Sequence, residues 1–421
     1  MADLVIRGGR RLDGEHTVQG AKNSALPILA ATAATRGQCV IHRCPDLTDV
    51  EATLQILRHL GCKVKREGGS VTVDASSLSG CAVPESLMRE MRSSIAFLGP
   101  LLSAVGCADL SSPGGCEIGL RPINWHLDAM RALGVEISDE GGRLRCAAPG
   151  GMKGARLSLS FPSVGATENI MIAAAAASGV TVLTNAAREP EIVDLANFLA
   201  SCGANIHGAG DGTIVIEGVK RLHGAEHTVI PDRITAVTML CAAAITGGEV
   251  LLKGAKPCHM DAMLAILEQC GGRVRREGKN ALHLRMPGRP GRLPTIRTMP
   301  YPGFPTDAQA VFMALAALGD STGMIIETIF ENRFRHVAQL RKMGARIRVE
   351  GNVAVIEGVP RLAGATVDAC DLRAGAALVV AGLAAEGQTR VRETRHIDRG
   401  WERIEAHLRA VGAEITRNAE C

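Results

Sequence analysis

The segment SSPGGCEIGLRP, Ser111 to Pro122, places a thiol, Cys116, five residues before a guanidinium, Arg121, among Pro113, Gly114, Gly115 and Gly119. That composition makes a loop, and a glycine-rich loop at a site is a natural lid. A neighbouring cation favours the thiolate, so Cys116 is a candidate for proton or covalent chemistry; the alternative is an idle thiol, one of 13 in the chain. Lys22 and Asn23 open an Ala-rich helical stretch, KNSALPILAA, and Arg92 opens another, RSSIAFLGPLL. Asn23 or Ser24 could serve simply as an N-cap. A cation at the positive end of a helix is unfavourable unless an anion joins it, so Lys22 and Arg92 point to an anionic ligand. Asp307, in FPTDAQA, stands at a further helix start and fits either a cap or a general base beside a substrate hydroxyl. Arg333 in FENRFRH and Arg399 in HIDRGWERI lie in arginine-rich runs. Such runs read as solvated surface or as recognition of carboxylate and phosphate.

The elements that must hold these residues come from internal repetition. Six segments, LRHLGCKV, MRALGVEI, LASCGANI, LEQCGGRV, LRKMGARI and LRAVGAEI, each run from an apolar helix end through Gly into an alternating strand. Their glycines, Gly61, Gly134, Gly203, Gly271, Gly344 and Gly412, are 73, 69, 68, 73 and 68 residues apart. Each suits the position after a helix, where positive φ favours Gly. A second series of six Ala-rich helices interleaves with the first, starting near Lys22, Arg92, Ser163, Asp232, Thr306 and Asp371. Most open on a capping residue and run into apolar sequence, as buried helices do. IRGGRRLDGEHTV before Lys22 resembles IEGVKRLHGAEHTV before Asp232, with a shift of 210 residues, half the chain. Two domains of three α/β units follow; the repeat leaves open which of them holds residues 1–21. Three helix N-termini aimed at one cleft from each domain would attract an anion; equally, the array could be a scaffold whose caps serve stability alone.

Composition agrees with a soluble globular protein. A chain of 421 residues exceeds one core. Aromatics are only 2%, so the core must be Ala, Val, Leu and Ile. A net charge of +4 without runs of like charge gives no nucleic-acid tail. The odd, scattered cysteines lack C-x-x-C and zinc spacing, which reads as reduced cytosolic thiols and no metal site. MADLVIRGGRRLDG has no signal-peptide apolar stretch, and Ile170 to Leu183 falls short of the roughly 20 residues a membrane span takes. The expectation is a cytoplasmic protein.

The segments GAKNSALPIL, MRSSIAFLGPL, LSSPGGCEIGLRPI, PSVGATENI, AAREPEIVD, PDRI, FPTDAQA, FENRF, DLRA and HIDRG occur in one order along the chain. In this the sequence closely resembles the UDP-N-acetylglucosamine 1-carboxyvinyltransferases over essentially its whole length. The resemblance implies an α/β (α+β) fold of two inside-out α/β barrels, each of three βαβαββ units. It implies a first domain of residues 22–230 carrying the loop 112–121, a second of 1–21 plus 231–421, and an active site in the cleft between them. The implied activity moves the enolpyruvyl group of phosphoenolpyruvate to the 3-hydroxyl of UDP-N-acetylglucosamine with release of phosphate. That is the first committed step of peptidoglycan synthesis, and so bears on cell-wall biogenesis, cell shape and division.

Carried over by motif, Cys116 is the thiol that protonates C3 of phosphoenolpyruvate and forms an adduct with it, the target of fosfomycin. Lys22, Arg121 and Arg399 match the phosphoenolpyruvate clamp. Asn23 and Asp307 match contacts to the amino sugar, with Asp307 the base. Arg92, Arg121, Pro122, Ile123, Asn124, Trp125, Ser163, Val164, Gly165 and Ile329 match positions around the UDP moiety, and Arg333 and Arg373 are further cations. A base, an acid and cations suffice for this chemistry without metal or redox cofactor, and no nucleic acid, membrane or obligate protein partner is implied. Asn124, Trp125, Thr48 and Phe161 depart from the family's usual residues, which bears on nucleotide affinity. The competing readings are the shikimate-pathway enolpyruvyl transferase, against which the PGGC segment argues, an enzyme for another nucleotide acceptor, and a catalytically silent UDP-sugar sensor.

Overall fold

In the computed structural model, which describes residues 2–90, 92–111 and 123–418, the six repeat glycines all take φ between 90° and 96°. Each follows an outer helix: Thr48–His59, Asn124–Ala132, Pro190–Ser201, Asp261–Gln269, Val337–Lys342 or Ile404–Ala410. That left-handed geometry costs an L-residue a clash that Gly avoids, which is why the glycine recurs. Each glycine then releases the chain into a short strand.

One repeat runs strand Arg156–Ser158, helix Val164–Ala175, strand Val180–Thr184, helix Pro190–Ser201, and strands Asn205–His207 and Thr213–Glu217. This is a βαβαββ unit. Its first two strands pair in parallel, Leu183 beside Leu157, across the buried helix. The last two strands close the sheet with antiparallel pairings. Among the described residues the strands form five four-stranded sheets and one three-stranded sheet. In the latter a single parallel bridge, Ala82 to Asp109, stands where the fourth strand would pair.

The chain divides into two compact units, one of residues 1–19 with 231–421 and the other of the intervening sequence to 230. Strand Asp3–Arg7 inserts between Gln388–Arg392 and Glu414–Asn418. Asp13–Thr17 pairs in parallel with Glu249–Lys253. Three helices form the centre of each unit: Lys22–Thr35, Leu98–Val105 and Val164–Ala175 in one, Arg233–Ile245, Gln309–Ala317 and Leu372–Ala384 in the other. Their residues are buried almost without exception, so they show no polar face. Alanine and glycine let these helices approach closely, and the sheets lie outside them; each unit is an α/β barrel turned inside out. The core is aliphatic, as the aromatic-poor composition demands.

The helix starts depart from simple capping. Ser163, Asp232 and Asp371 do cap their helices with side-chain oxygens. The stretch at Arg92 begins as a 3-10 helix, Arg92–Phe97, and the one at Thr306 as a 3-10 turn, Thr306–Ala308. Lys22–Thr35 starts after Ala21 without a side-chain cap.

Candidate functional site

In the unit ending at Ile230, Lys22 is buried in the first helical turn and its Nζ lies 2.6 Å from Asp49 Oδ2. The anion called for by a cation at a helix start is therefore supplied by the protein. Asp49 itself sits in the first turn of Thr48–His59, where a carboxylate is favoured. Ser24 is no cap either: its hydroxyl donates to the buried carboxylate of Asp194. Asp194 also accepts from His227 Nε2 at 2.9 Å and from the Ile230 amide at 3.2 Å. The Ile230 carbonyl in turn accepts from the Ala21 amide at 2.8 Å. One carboxylate thus fixes the turn carrying Lys22 and the half-buried Asn23.

Ser163 caps the helix that begins with Val164 and Gly165 through the Ala166 amide, 3.4 Å away. A Cβ on Gly165 would meet the His126 ring at 3.3 Å. Burial pushes His126 down to about 4, so its ring is neutral. Its Nδ1 accepts from Asn169 Nδ2 at 2.9 Å, which leaves the proton on Nε2. Asn169 also bonds the Ile95 carbonyl and the Gly99 amide, joining the stretch that Arg92 opens to the Ser163 helix. Ile123 is half-buried and Asn124 exposed. Trp125 stacks on Phe161, ring centroids 5.7 Å apart and planes 20° from parallel, with its indole N–H on Ser160. Thr48 is exposed. The loop 112–121 with Cys116, together with Arg121 and Pro122, lies outside the described residues, as does the side chain of Arg92.

In the unit of residues 231–421, Asp307 is brought together with Arg333 and Arg373. Its Oδ1 lies 3.0 Å from Arg333 and its Oδ2 2.7 Å from Arg373. Both guanidiniums are buried. Arg373 is held above the usual guanidinium range: burial works against its charge, and Asp307, Asp232 and Asp371 outweigh it. Asp371 caps Leu372–Ala384 through the Arg373 and Ala374 amides. Its side chain is also 3.9 Å from Arg333. His336, fully buried beside these groups, is pushed down to about 4, chiefly by burial. Ile329 is placed by Glu327, a buried carboxylate that accepts from the Ile329 amide at 2.8 Å and from Thr298 and Thr306 at 2.9 Å. The same carboxylate therefore holds the residue next to Asp307.

Arg399 lies in the turn after the 3-10 helix Thr394–His396. Asp398 before it accepts from both terminal nitrogens of Arg417, at 2.9 and 2.8 Å. Gly400 after it presses on Leu372, where a Cβ would come within 2.4 Å of the leucine side chain. The turn is thereby packed against the start of the helix that carries Arg373. Asp49, Asp194 and Glu327, which do the holding, were not singled out from sequence. Their signal was faint: acidic residues in otherwise apolar helical or strand-end positions.

In the unit of residues 231–421, a carboxylate between two buried guanidiniums suits an anionic ligand with a hydroxyl to be activated. In the other unit, a buried lysine at a helix start is a cation of the same kind. Comparison with known proteins bears on which. The family model described as EPSP synthase (3-phosphoshikimate 1-carboxyvinyltransferase) matches residues 6–408. A protein of Caldanaerobacter subterraneus named UDP-N-acetylglucosamine 1-carboxyvinyltransferase 2 is 50% identical over 417 residues, 99% of this chain and 100% of its own. One of Symbiobacterium thermophilum, named UDP-N-acetylglucosamine 1-carboxyvinyltransferase 1, is 50% identical over 420 residues, covering 98% of this chain and 94% of that protein. Among solved structures, the enolpyruvyl transferase NikO from Streptomyces tendae superposes with a TM-score of 0.89 at 27% identity, covering 100% of this chain and 99% of that one.

Proposed function

We propose how the residues described above share the work from one premise: the chain belongs to the enolpyruvyl transferases of the EPSP synthase family, as a UDP-N-acetylglucosamine 1-carboxyvinyltransferase. Its activity is enolpyruvyl transfer in peptidoglycan synthesis. The 3-hydroxyl of UDP-N-acetylglucosamine gives its proton to Asp307 as its oxygen bonds C2 of phosphoenolpyruvate. The C2–C3 π pair takes a proton at C3 from Cys116, leaving a tetrahedral ketal. The Cys116 thiolate then takes back a C3 proton, the C3–H pair restores the double bond, and phosphate departs with the electron pair of its C2–O bond.

Lys22, Arg121 and Arg399 hold the carboxylate and phosphate of the donor. Asn23 and Asp307 hold the amino sugar. Arg92, the stretch Arg121 to Trp125, Ser163 to Gly165 and Ile329 serve the UDP moiety, with Arg333 and Arg373 as supporting cations. No step calls for a metal or redox cofactor. The stacked Trp125–Phe161 pair, half-exposed in a chain with few aromatics, offers the nucleotide a flat apolar face. In this reading the enzyme works in the cytoplasm on small molecules, its step precedes cell division, and Cys116 is the fosfomycin target.

The observation that carries this reading is Asp307 set between two buried guanidiniums at 3.0 and 2.7 Å, which orients a carboxylate in a strongly cationic site. A phosphate-release assay tests it. Phosphoenolpyruvate with UDP-N-acetylglucosamine should release phosphate without added metal and in the presence of a chelator. Full activity with shikimate 3-phosphate or with UMP in place of the amino sugar would refute it. Release with a different nucleotide sugar alone would assign another acceptor.

A further inference from the structure

Gln19 lies outside the motifs, yet its side chain is buried and hydrogen-bonded through both its nitrogen and its oxygen. Its Nε2 donates to the Gly400 carbonyl at 3.1 Å and its Oε1 accepts from the Glu402 amide at 3.2 Å. Only this orientation of the amide satisfies both partners. The two backbone groups are two residues apart in one turn, and one primary amide supplies what a neighbouring peptide would. The turn's own backbone bonds are short-range, from the Gly400 and Trp401 amides to the Ile397 carbonyl and from the Arg403 amide to the Trp401 carbonyl. Without Gln19 the Gly400 carbonyl and the Glu402 amide would lose partners that tie the turn to a distant part of the chain.

Gln19 is itself rigidly mounted. Its own carbonyl accepts from the Asp232 amide at 3.0 Å, and the Val18 amide before it donates to the Lys253 carbonyl at 3.0 Å. Asp232 is fixed as the cap of Arg233–Ile245. The residues preceding Val18 are paired with Glu249–Lys253. On the other side of Arg399, Asp398 is held by Arg417, and the buried Trp401 meets His407 edge-on at 5.9 Å. Arg399 therefore sits on a turn fastened at three successive points: the Asp398 carboxylate, the Gly400 carbonyl and the Glu402 amide. Two of the three belong to Gln19.

We infer that Gln19 is a positioning residue whose side-chain amide fixes the turn presenting Arg399 to the anionic donor substrate. The inference rests on the reading of Arg399 as a phosphoenolpyruvate contact. A guanidinium on a turn free to shift by an ångström loses its alignment with a carboxylate or phosphate, although its charge is unchanged.

The test is the kinetics of Gln19→Met, which keeps length and volume but makes neither hydrogen bond. The KM for phosphoenolpyruvate should rise about tenfold, while kcat and the KM for UDP-N-acetylglucosamine stay within about twofold. In an Arg399→Ala background the same substitution should add nothing further to that KM, because both act through one contact. If Gln19→Met does not fold, Gln19→Asn, too short to reach both partners, should show the same split between the two KM values. A fall in kcat alone, equal rises in both KM values, or an additive effect in the Arg399→Ala background would make Gln19 merely structural and overturn the inference. If Arg399→Ala itself leaves the phosphoenolpyruvate KM unchanged, the assignment of Arg399 fails, and this inference fails with it. If Arg399→Ala raises that KM and Gln19→Met does not, only the inference fails.

Discussion

Lys22 Nζ and Asp49 Oδ2 are 2.6 Å apart, and both side chains are buried. The ammonium lies at the positive end of its own helix, so the carboxylate offsets both desolvation and the helix dipole. Asp49→Ala should destabilise the protein by about 3–5 kcal/mol, the cost of removing one member of a buried pair. The double variant Lys22→Met/Asp49→Leu should recover much of that stability while remaining inactive. Urea denaturation and phosphate release, measured on the same three proteins, separate the two roles. Equal stability of single and double variants would show that the pair is not coupled.

Asp307 invites a different expectation from the one its sequence position raises. As a cap it could be replaced by Asn at little cost. It instead meets two buried guanidiniums, at 3.0 and 2.7 Å. Asp307→Asn should therefore lower turnover about 10²–10⁴-fold, the usual worth of a general base. It should also cost about 1.5–3 kcal/mol for the weakened charged hydrogen bonds. Single-turnover rates and denaturation midpoints check the two effects independently. A near-normal rate would remove Asp307 as the base, and an unchanged midpoint would mean that Arg333 and Arg373 do not depend on it.

The repeats were legible because they follow from local rules. A glycine at positive φ after an apolar helix end is forced by backbone sterics, and six of them at near-constant spacing declare six units. The central helices were legible from Ala-rich runs. The repeat left the place of residues 1–19 open, and only the family resemblance put them with the second domain, since Asp3–Arg7 pairs with strands almost 400 residues away and alternation does not name a partner. The candidate site residues stood out by type and motif, but the groups that fix them did not. Asp194 reaches Ser24 across 170 residues of sequence and Gln19 reaches Gly400 across 381. Such contacts are set by packing, which periodicity does not encode.

His126 gives a pH signature. Its ring is pushed down to about 4 by burial, whereas an unfolded chain holds the ordinary value of about 6.5. Between these values the unfolded state binds the extra proton, so the stability tied to a neutral His126 is full above about 6.5 and lost as the pH falls toward about 4. The buried Glu168 works in the opposite sense, its carboxyl held well above the usual range by burial and by Glu191 and Glu189. His126 is therefore read as a difference. In His126→Asn the amide oxygen takes the place of Nδ1 as acceptor for Asn169, and nothing titrates. The stability of this variant should fall less steeply than the parent's across that window, by at most about 1.4 kcal/mol per pH unit. Parallel curves for the two proteins would show that His126 titrates normally.

The cysteines supply the last prediction, because the chain contains its own controls. Of the described thiols, Cys39, Cys44, Cys62, Cys146, Cys202, Cys241 and Cys270 are buried, while Cys258 is exposed. Burial pushes Cys146 and Cys270 up to about 11 and Cys62 to about 12, so at neutral pH these remain unreactive thiols. A neutral alkylator that selects only for exposure should label Cys258. A phosphonate epoxide carries an anion, and Arg121 lies five residues from Cys116 in sequence. It should therefore select Cys116 over Cys258, and faster once UDP-N-acetylglucosamine is bound, if the sugar nucleotide draws the glycine-rich loop 112–121 over the site. Peptide mass spectrometry after a brief exposure to each reagent reads both ratios. Epoxide label divided evenly between Cys116 and Cys258 would reduce the selection to exposure, and a rate indifferent to the sugar nucleotide would remove the lid.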